Sequence, residues 1–326
     1  MPTLSTLLPP FLSTLSLPPP QSTHLLNISL PLLVLSERFS FYPGSYIFKL
    51  LSSAAFLAGP LYYLAPSSPF QLRQWNPYHL RIAAGLVFSA VGDYCLIPTR
   101  TAYYDKHLGV LHAARKHSSA SKRAEEEVVE EEEEEEEVVV VEEEETPRKI
   151  SKSFRAGVAA FAAAHISYAL AFLHNTTNRS STSTQISWPI FTATFGASML
   201  LAKITGVIYP PRNTKSKSKS KSKHASSLAN CNLLNLSIAD DMRPLVLGYS
   251  AIISGMLAVA ASTSAAAGGF APAHQRLLGA VMFVASDLFV ARDAFGKGDE
   301  GHPGWLKPSA GFGLYFWAQM LIAGTV

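Results

Sequence analysis

The stretch "LLGAVMFVASDLFVARDAF", from Leu277 to Phe295, decides how this chain is read. Its first two-thirds has the composition of a lipid-soluble helix, yet Asp287 lies well inside it. An aspartate at the centre of a membrane helix costs roughly 2.5–3.5 kcal/mol on insertion scales, and such residues are functional by default. The rest of the chain has to explain why that cost is tolerated.

The composition of the remainder is apolar and basic. Of 326 residues, 48% are hydrophobic and only 16% charged, against about 25% charged in soluble domains. The run Glu125–Glu145 ("EEEVVEEEEEEEEVVVVEEEE") holds 15 of the 24 acids. Nine acids therefore face 27 lysines and arginines elsewhere, a formal excess of +18 hidden under a net charge of +3. This is the composition of a polytopic membrane protein. Cys95 and Cys231 show neither a disulfide framework nor metal-ligand spacing. The N-terminus has no positively charged leader pattern, so no cleaved signal peptide is assigned.

About 20 apolar residues span a bilayer core. Candidate spans are 25–36, 45–65, 78–98, 154–173, 187–208, 243–262, 273–295 and 307–325. The expected fold is all-α: a polytopic transmembrane bundle of about eight helices, since helices satisfy their backbone groups internally and no alternating strand pattern occurs. Residues 1–44 read as an N-terminal extension with a weak first span, and 45–326 as the transmembrane domain. Two inserts interrupt that domain, acidic at 114–150 and Lys/Ser-rich at 212–240. Both are expected to be disordered, because neither buries enough apolar surface to offset ordering.

Loop charge sets an expected orientation. The third-to-fourth loop carries nine lysines and arginines, and the fifth-to-sixth carries Arg212, five lysines and Arg243. Opposing loops offer little beyond Arg73, Arg179 and Arg276. The positive-inside rule then places the basic loops in the cytoplasm and both termini on the other side. The sequons at Asn175 and Asn178 fall on the luminal side, where glycosylation can occur.

Only two acids lie well inside apolar spans: Asp287, and Asp93 in "IAAGLVFSAVGDYCLIP". Both helices run the same way. Asp93 is 15 residues past Tyr78 and Asp287 is 14 past Ala273, which puts both roughly 20 Å from the luminal face. One such acid can simply pair with a base or cap a neighbouring helix; two at one level point to a shared site. Asp293 follows Arg292 near the helix end, where a local ion pair or snorkelling explains both.

Other polar groups fit the same layer. Lys49 ("YIFKLLSS") reads as a snorkelling lysine or, more sharply, as a phosphate-binding one. His165 and Tyr168 lie one turn apart on one face, and Tyr315 and Gln319 at i, i+4 share another. Each pair alone is more often a helix–helix hydrogen bond than a catalytic group. His165 is the only histidine deep in a span, which argues against a three-ligand zinc site. No GxSxG elbow, Walker loop or HExxH is present, and Ser89 and Ser286 lack a His/Asp partner pattern. No internal repeat of the broken-helix transporter kind is found.

Five segments together resemble the lysoplasmalogenase, or YhhN-like, family of membrane proteins. They are "GLVFSAVGDYCL" (85–96), "FRAGVAAFAAAHISYALAF" (154–172), "LVLGYSAIISGMLAVAAS" (245–262), "GAVMFVASDLFVARDAF" (279–295) and "YFWAQMLIA" (315–323). The likeness runs from about Tyr46 onward, outside the two inserts. It implies an eight-helix fold and hydrolysis of the vinyl ether bond of lysoplasmalogens to a fatty aldehyde and glycerophospho-ethanolamine or -choline. The family's GD and SD aspartates fall on Asp93 and Asp287, and its first lysine on Lys49, where the family's next proline is Leu50. Localisation in the endoplasmic reticulum membrane is expected from the resemblance.

The chemistry asks for the same residues. A vinyl ether hydrolyses by protonation of its β-carbon, giving an oxocarbenium ion that water captures. That needs one protonated acid and a second group that stabilises positive charge or activates water. Two carboxylates in a dry site divide these tasks, as in glycosidases. Asp93 and Asp287 are thus the catalytic candidates, and Lys49, His165, Tyr168, Tyr315 and Gln319 the substrate-binding ones. The expected partners are a lysophospholipid substrate and membrane lipids, with no metal, cofactor or nucleic acid. The alternatives are a proton-coupled transporter or lipid-sensing receptor using the same acids, and a hydrolase of a different lipid bond.

Overall fold

Local chemistry marks several of the helix boundaries. The computed structural model describes residues 15–64, 76–104, 151–177, 186–208, 231–264, 272–296 and 305–326. Among them, eight long helices follow in order: α1 (Pro20–Arg38), α2 (Tyr42–Leu64), α3 (Pro77–Cys95), α4 (Lys152–Thr177), α5 (Trp188–Thr205), α6 (Arg243–Ser264), α7 (Pro272–Phe295) and α8 (Leu306–Ala323). α3 opens on Pro77 under an Asn76 cap, whose side chain accepts from the Tyr78 amide at 2.9 Å; proline suits this first position because its missing N–H has no helical partner. α5 stops at Gly206, whose φ of 87° is the left-handed cap that glycine adopts without strain.

Every expected span corresponds to one of these helices. The first is longer than expected, because α1 extends over 19 residues and packs against α2 and α8. α3 is shorter, ending at Cys95, since Pro98 disfavours helix in the residue before it. The architecture is all-α among the described residues. Two helices, over Lys152–His174 and Arg243–Thr263, are long and apolar enough to cross a membrane by length and composition.

Two groups of contacts define the ends of the bundle. At one end the Ser153 hydroxyl donates to the Cys95 carbonyl, Tyr42 to the Pro98 carbonyl at 3.1 Å, and Arg38 lies over the Trp305 ring. At the other, Tyr78 donates to Thr325 at 2.7 Å, Gln275 to the Leu321 carbonyl at 2.7 Å, and Arg276 lies over Tyr78 and Phe172. The helices thus alternate in direction, and the C-termini of α3, α5 and α7 meet the N-termini of α2, α4, α6 and α8 at the first end.

The helix interfaces are built from small residues. A Cβ on Gly85 or Gly92 of α3 would overlap the rings of Tyr168 or Phe161 on α4. Glycine is therefore what lets these two backbones approach. Ser198 and Ser254 bridge α5 and α6 at 2.9 Å, and Ser29 and Ser52 bridge α1 and α2 at 2.8 Å.

One boundary of the sequence reading needs correction. The Lys/Ser-rich insert, expected to be disordered through residue 240, gives way to an ordered hook at Cys231. Asn232 accepts from the Leu236 amide at 2.8 Å and donates to its carbonyl at 2.9 Å. Leu236 and Ile238 are buried against Phe295, and Leu236 forms a β-bridge with Gly296. Leu236 and Ile238, with Leu234 packed partly against the same cluster, supply the burial that fixes the segment. Asp240 and Asp241 anchor it further through Arg243, at 2.9 Å, and Arg155. The acidic run, the Lys-Ser repeat, Arg73 and the Asn178 sequon lie outside the described residues, while Asn175 falls in the last turn of α4.

Candidate active site

Asp93 sits in the penultimate position but one of α3, where the buried face of that helix turns toward α2 and α8. It is 2% exposed. Three groups surround it: Lys49 Nζ of α2 lies 3.9 Å from Oδ1, and the hydroxyls of Ser53 and Tyr315 both donate to Oδ2 at 2.8 Å. A carboxylate this deep requires such compensation.

Tyr315 owes its orientation to a one-way series of hydrogen bonds. Tyr168 donates to Gln319 Oε1 at 2.7 Å, and Gln319 Nε2 donates to the Tyr315 oxygen at 3.2 Å. The amide accepts on one side and donates on the other, so the single proton of Tyr315 is committed to Asp93. Ser89, 3.3 Å from the Tyr168 hydroxyl, stands at the head of the series; with the Tyr168 proton already committed to Gln319, Ser89 is the donor.

Asp287, on α7, has different company. Tyr249 of α6 donates to its Oδ2 at 2.6 Å. Among the described residues no lysine or arginine forms an ion pair with it, and no hydrogen bond joins the two aspartates. Both line one cavity of about 200 Å³, with Lys49, Tyr249 and Tyr315 alongside. Its other walls are mainly apolar, supplied by such residues as Phe161, Ile253, Val284 and Phe312. The cavity runs to the end of the bundle where Phe154, Phe295 and Lys307 gather.

The structure thus brings four of the seven expected site residues, Lys49, Asp93, Asp287 and Tyr315, onto one surface. The other three do not line it. Tyr168 and Gln319 stand behind Tyr315, joined to it through the hydrogen-bond series. His165 is fully buried, donates Nδ1–H to the Phe161 carbonyl at 2.7 Å and packs edge-on against Phe283. Its Nε2 has no partner among the described residues. His165 thus lies inside the packed α4 interface and not on the cavity wall.

Two residues of the site escaped the sequence reading. Tyr249 lies in a segment quoted only for its family resemblance, and its signal was a tyrosine deep in a span, where the hydroxyl must find a partner. Ser53 falls one turn after Lys49 and had no signal beyond that spacing. Among the described residues no three His, Cys, Asp or Glu side chains gather as a metal site.

The YhhN family model matches residues 146–326. No curated protein and no solved structure gives a match. The matched region carries α4 to α8, with Tyr249, Asp287 and Tyr315, whereas Lys49, Ser53 and Asp93 precede it. Covering more than half of the sequence and five of the eight helices, this match shows that the chain belongs to the YhhN family.

Proposed function

We propose that the protein is a multi-pass membrane hydrolase that cleaves the vinyl ether bond of lysoplasmalogens. The products are a fatty aldehyde and glycerophospho-ethanolamine or -choline. The observation that carries this reading is the placement of two differently partnered carboxylates, Asp93 and Asp287, on one otherwise apolar cavity. Membership of the YhhN family supports it.

Membrane residence is supported by an inverted distribution of polarity. Large apolar side chains are exposed on the outside of helix after helix: Ile47 and Leu61 on α2, Val87 and Val91 on α3, Leu170 on α4, Leu200 on α5. Asp93, His165, Gln275, Gln319 and many serines are buried. In water such exposed surface is an interaction site or a liability; in lipid it is solvated. The endoplasmic reticulum is the membrane proposed.

In the proposed reaction the alkyl chain lies along the apolar wall and the vinyl ether reaches the carboxylates. Asp287 delivers a proton to the β-carbon, and the electron pair of the ether oxygen makes the oxocarbenium ion. Asp93, held as a carboxylate by Lys49, Ser53 and Tyr315, stabilises that cation and takes a proton from the water that attacks it. The hemiacetal then collapses, its hydroxyl proton leaving as the glycerol oxygen is protonated. The net change is addition of one water and release of aldehyde and alcohol.

The test is aldehyde release from a lysoplasmalogen by detergent-purified protein, with Asp93→Asn and Asp287→Asn beside wild type. General acid–base groups contribute about 10²- to 10⁴-fold, so each variant should lose at least 100-fold. Full activity in both variants would overturn the two-carboxylate mechanism. Intact lipid after incubation with wild type, together with pH-driven uptake into proteoliposomes, would move the assignment to a transporter.

A further inference from the structure

The reaction uses the cavity's buried acids and leaves its outer ion pair without a part. Lys307 Nζ, from the first turn of α8, lies 2.6 Å from Asp293 Oδ1, near the end of α7. Both residues line the same cavity as Asp93 and Asp287. Their side chains are 28% and 48% exposed, against 3% for Asp93. The pair therefore marks the wet end of an otherwise apolar chamber.

We propose that Lys307 and Asp293 form a headgroup-reading clamp, Lys307 taking the phosphate and Asp293 the ammonium of a zwitterionic lysophospholipid. This rests on the hydrolase reading above and adds the residues that read the headgroup of its substrate.

Three observations carry it. The first is the spacing. Asp293 follows Asp287 by six residues on one helix, an axial rise of about 9 Å. In a lysoplasmalogen five bonds separate the vinyl ether oxygen from phosphorus and four more reach nitrogen, spans of about 6 Å and about 11 Å when extended. A vinyl ether at Asp287 therefore puts its headgroup at the level of the pair. The second is charge. The pair offers one positive and one negative group side by side, complementary to a headgroup that carries one of each. A partly exposed ion pair contributes little net stability, so opening it to admit a zwitterion replaces one pairing with two. The third is the alternative phosphate ligand. Lys49 is 14% exposed and lies against Asp93; a phosphate there would sit at the reacting level, not beyond it.

The experiment compares three vinyl ethers of one chain length: the lysoplasmenyl-ethanolamine, the same lipid with a bare phosphate, and the alkenylglycerol with no headgroup. Wild type, Lys307→Gln, Lys307→Arg and Asp293→Asn are assayed for aldehyde release, and thermal melts verify folding. The expected result for wild type is a kcat/KM at least tenfold higher for the ethanolamine lipid than for the alkenylglycerol, carried by KM. Lys307→Gln should erase the advantage of both phosphate-bearing lipids, and Lys307→Arg should restore most of it. Asp293→Asn should erase only the preference for ethanolamine over bare phosphate. All variants should turn over the alkenylglycerol as wild type does. Equal losses on all three substrates, or no change in the preferences, would overturn the clamp. Absence of aldehyde from wild type on every substrate would instead refute the hydrolase reading. In that case the clamp is judged by binding of lysophosphatidylethanolamine against monoacylglycerol: a wild-type preference that Lys307→Gln removes supports it, and equal affinities reject it.

Discussion

Tyr315 of α8 gives its proton to Asp93 of α3, 2.8 Å away, while its oxygen receives one from Gln319. This bond ties a helix inside the matched family region to one outside it. It also makes Asp93 an acceptor held from two sides, because Ser53 donates to the same oxygen. Removing the Tyr315 hydroxyl leaves that carboxylate less well held without altering the cavity's shape.

Tyr315→Phe should therefore lower kcat/KM for aldehyde release by about 10- to 100-fold, the range expected for one hydrogen bond to a charged group. Gln319→Leu should lower it less, since Tyr315 keeps its hydroxyl and loses only its orientation. Steady-state kinetics on both variants checks the order; a larger loss for Gln319→Leu contradicts the series as drawn.

Lys49→Met should destabilise the protein by about 3 kcal/mol, because it strands a buried carboxylate, and should abolish activity. The double variant Lys49→Met/Asp93→Asn removes both charges, so thermal stability should recover while activity stays absent. Melting curves in detergent paired with the aldehyde assay separate the two effects.

Tyr249→Phe should reduce kcat by about tenfold with little change in KM, because it removes the hydroxyl that donates to Asp287 and keeps the ring on the cavity wall. A large rise in KM at constant kcat would place Tyr249 on the substrate instead.

The hook gives a prediction independent of catalysis. Asn232→Ala removes two hydrogen bonds to Leu236 and should cost about 1–3 kcal/mol. A melt unchanged by this substitution would show that burial of Leu236 and Ile238 alone holds the segment.

What was legible in the sequence divides along physical lines. Helices α2 to α8 could be read because lipid-length apolar runs are set by composition, and Asp93 and Asp287 because a carboxylate in such a run is conspicuous. Helix direction and depth are countable and place the two at one level; that they line a common cavity is set by the packing of the helices between them. Which side chains face them is likewise not countable. Tyr168, Gln319 and His165 carry chemistry-bearing groups at plausible depth, yet the α3–α4 and α4–α8 packing puts them behind the cavity wall. Tyr249 was missed because a tyrosine among apolar residues looks like core until its hydroxyl partner is known. The hook at 231–240 falls inside the segment expected to be disordered, because the short apolar run Leu233–Ile238 is outweighed by the Lys/Ser composition before it.

Gly85 has no side chain, and that is its contribution. A methyl group there would strike the Tyr168 ring, displacing the hydroxyl that sets Gln319, hence Tyr315, hence Asp93. The hydrogen-bond donor to Asp93 is thus registered by an empty volume on Asp93's own helix, three steps back along the series. A survey that ranks positions by functional groups will pass over this one, although its tolerance for substitution is among the narrowest in the bundle. The blueprint of the site includes a blank, and the blank is heritable.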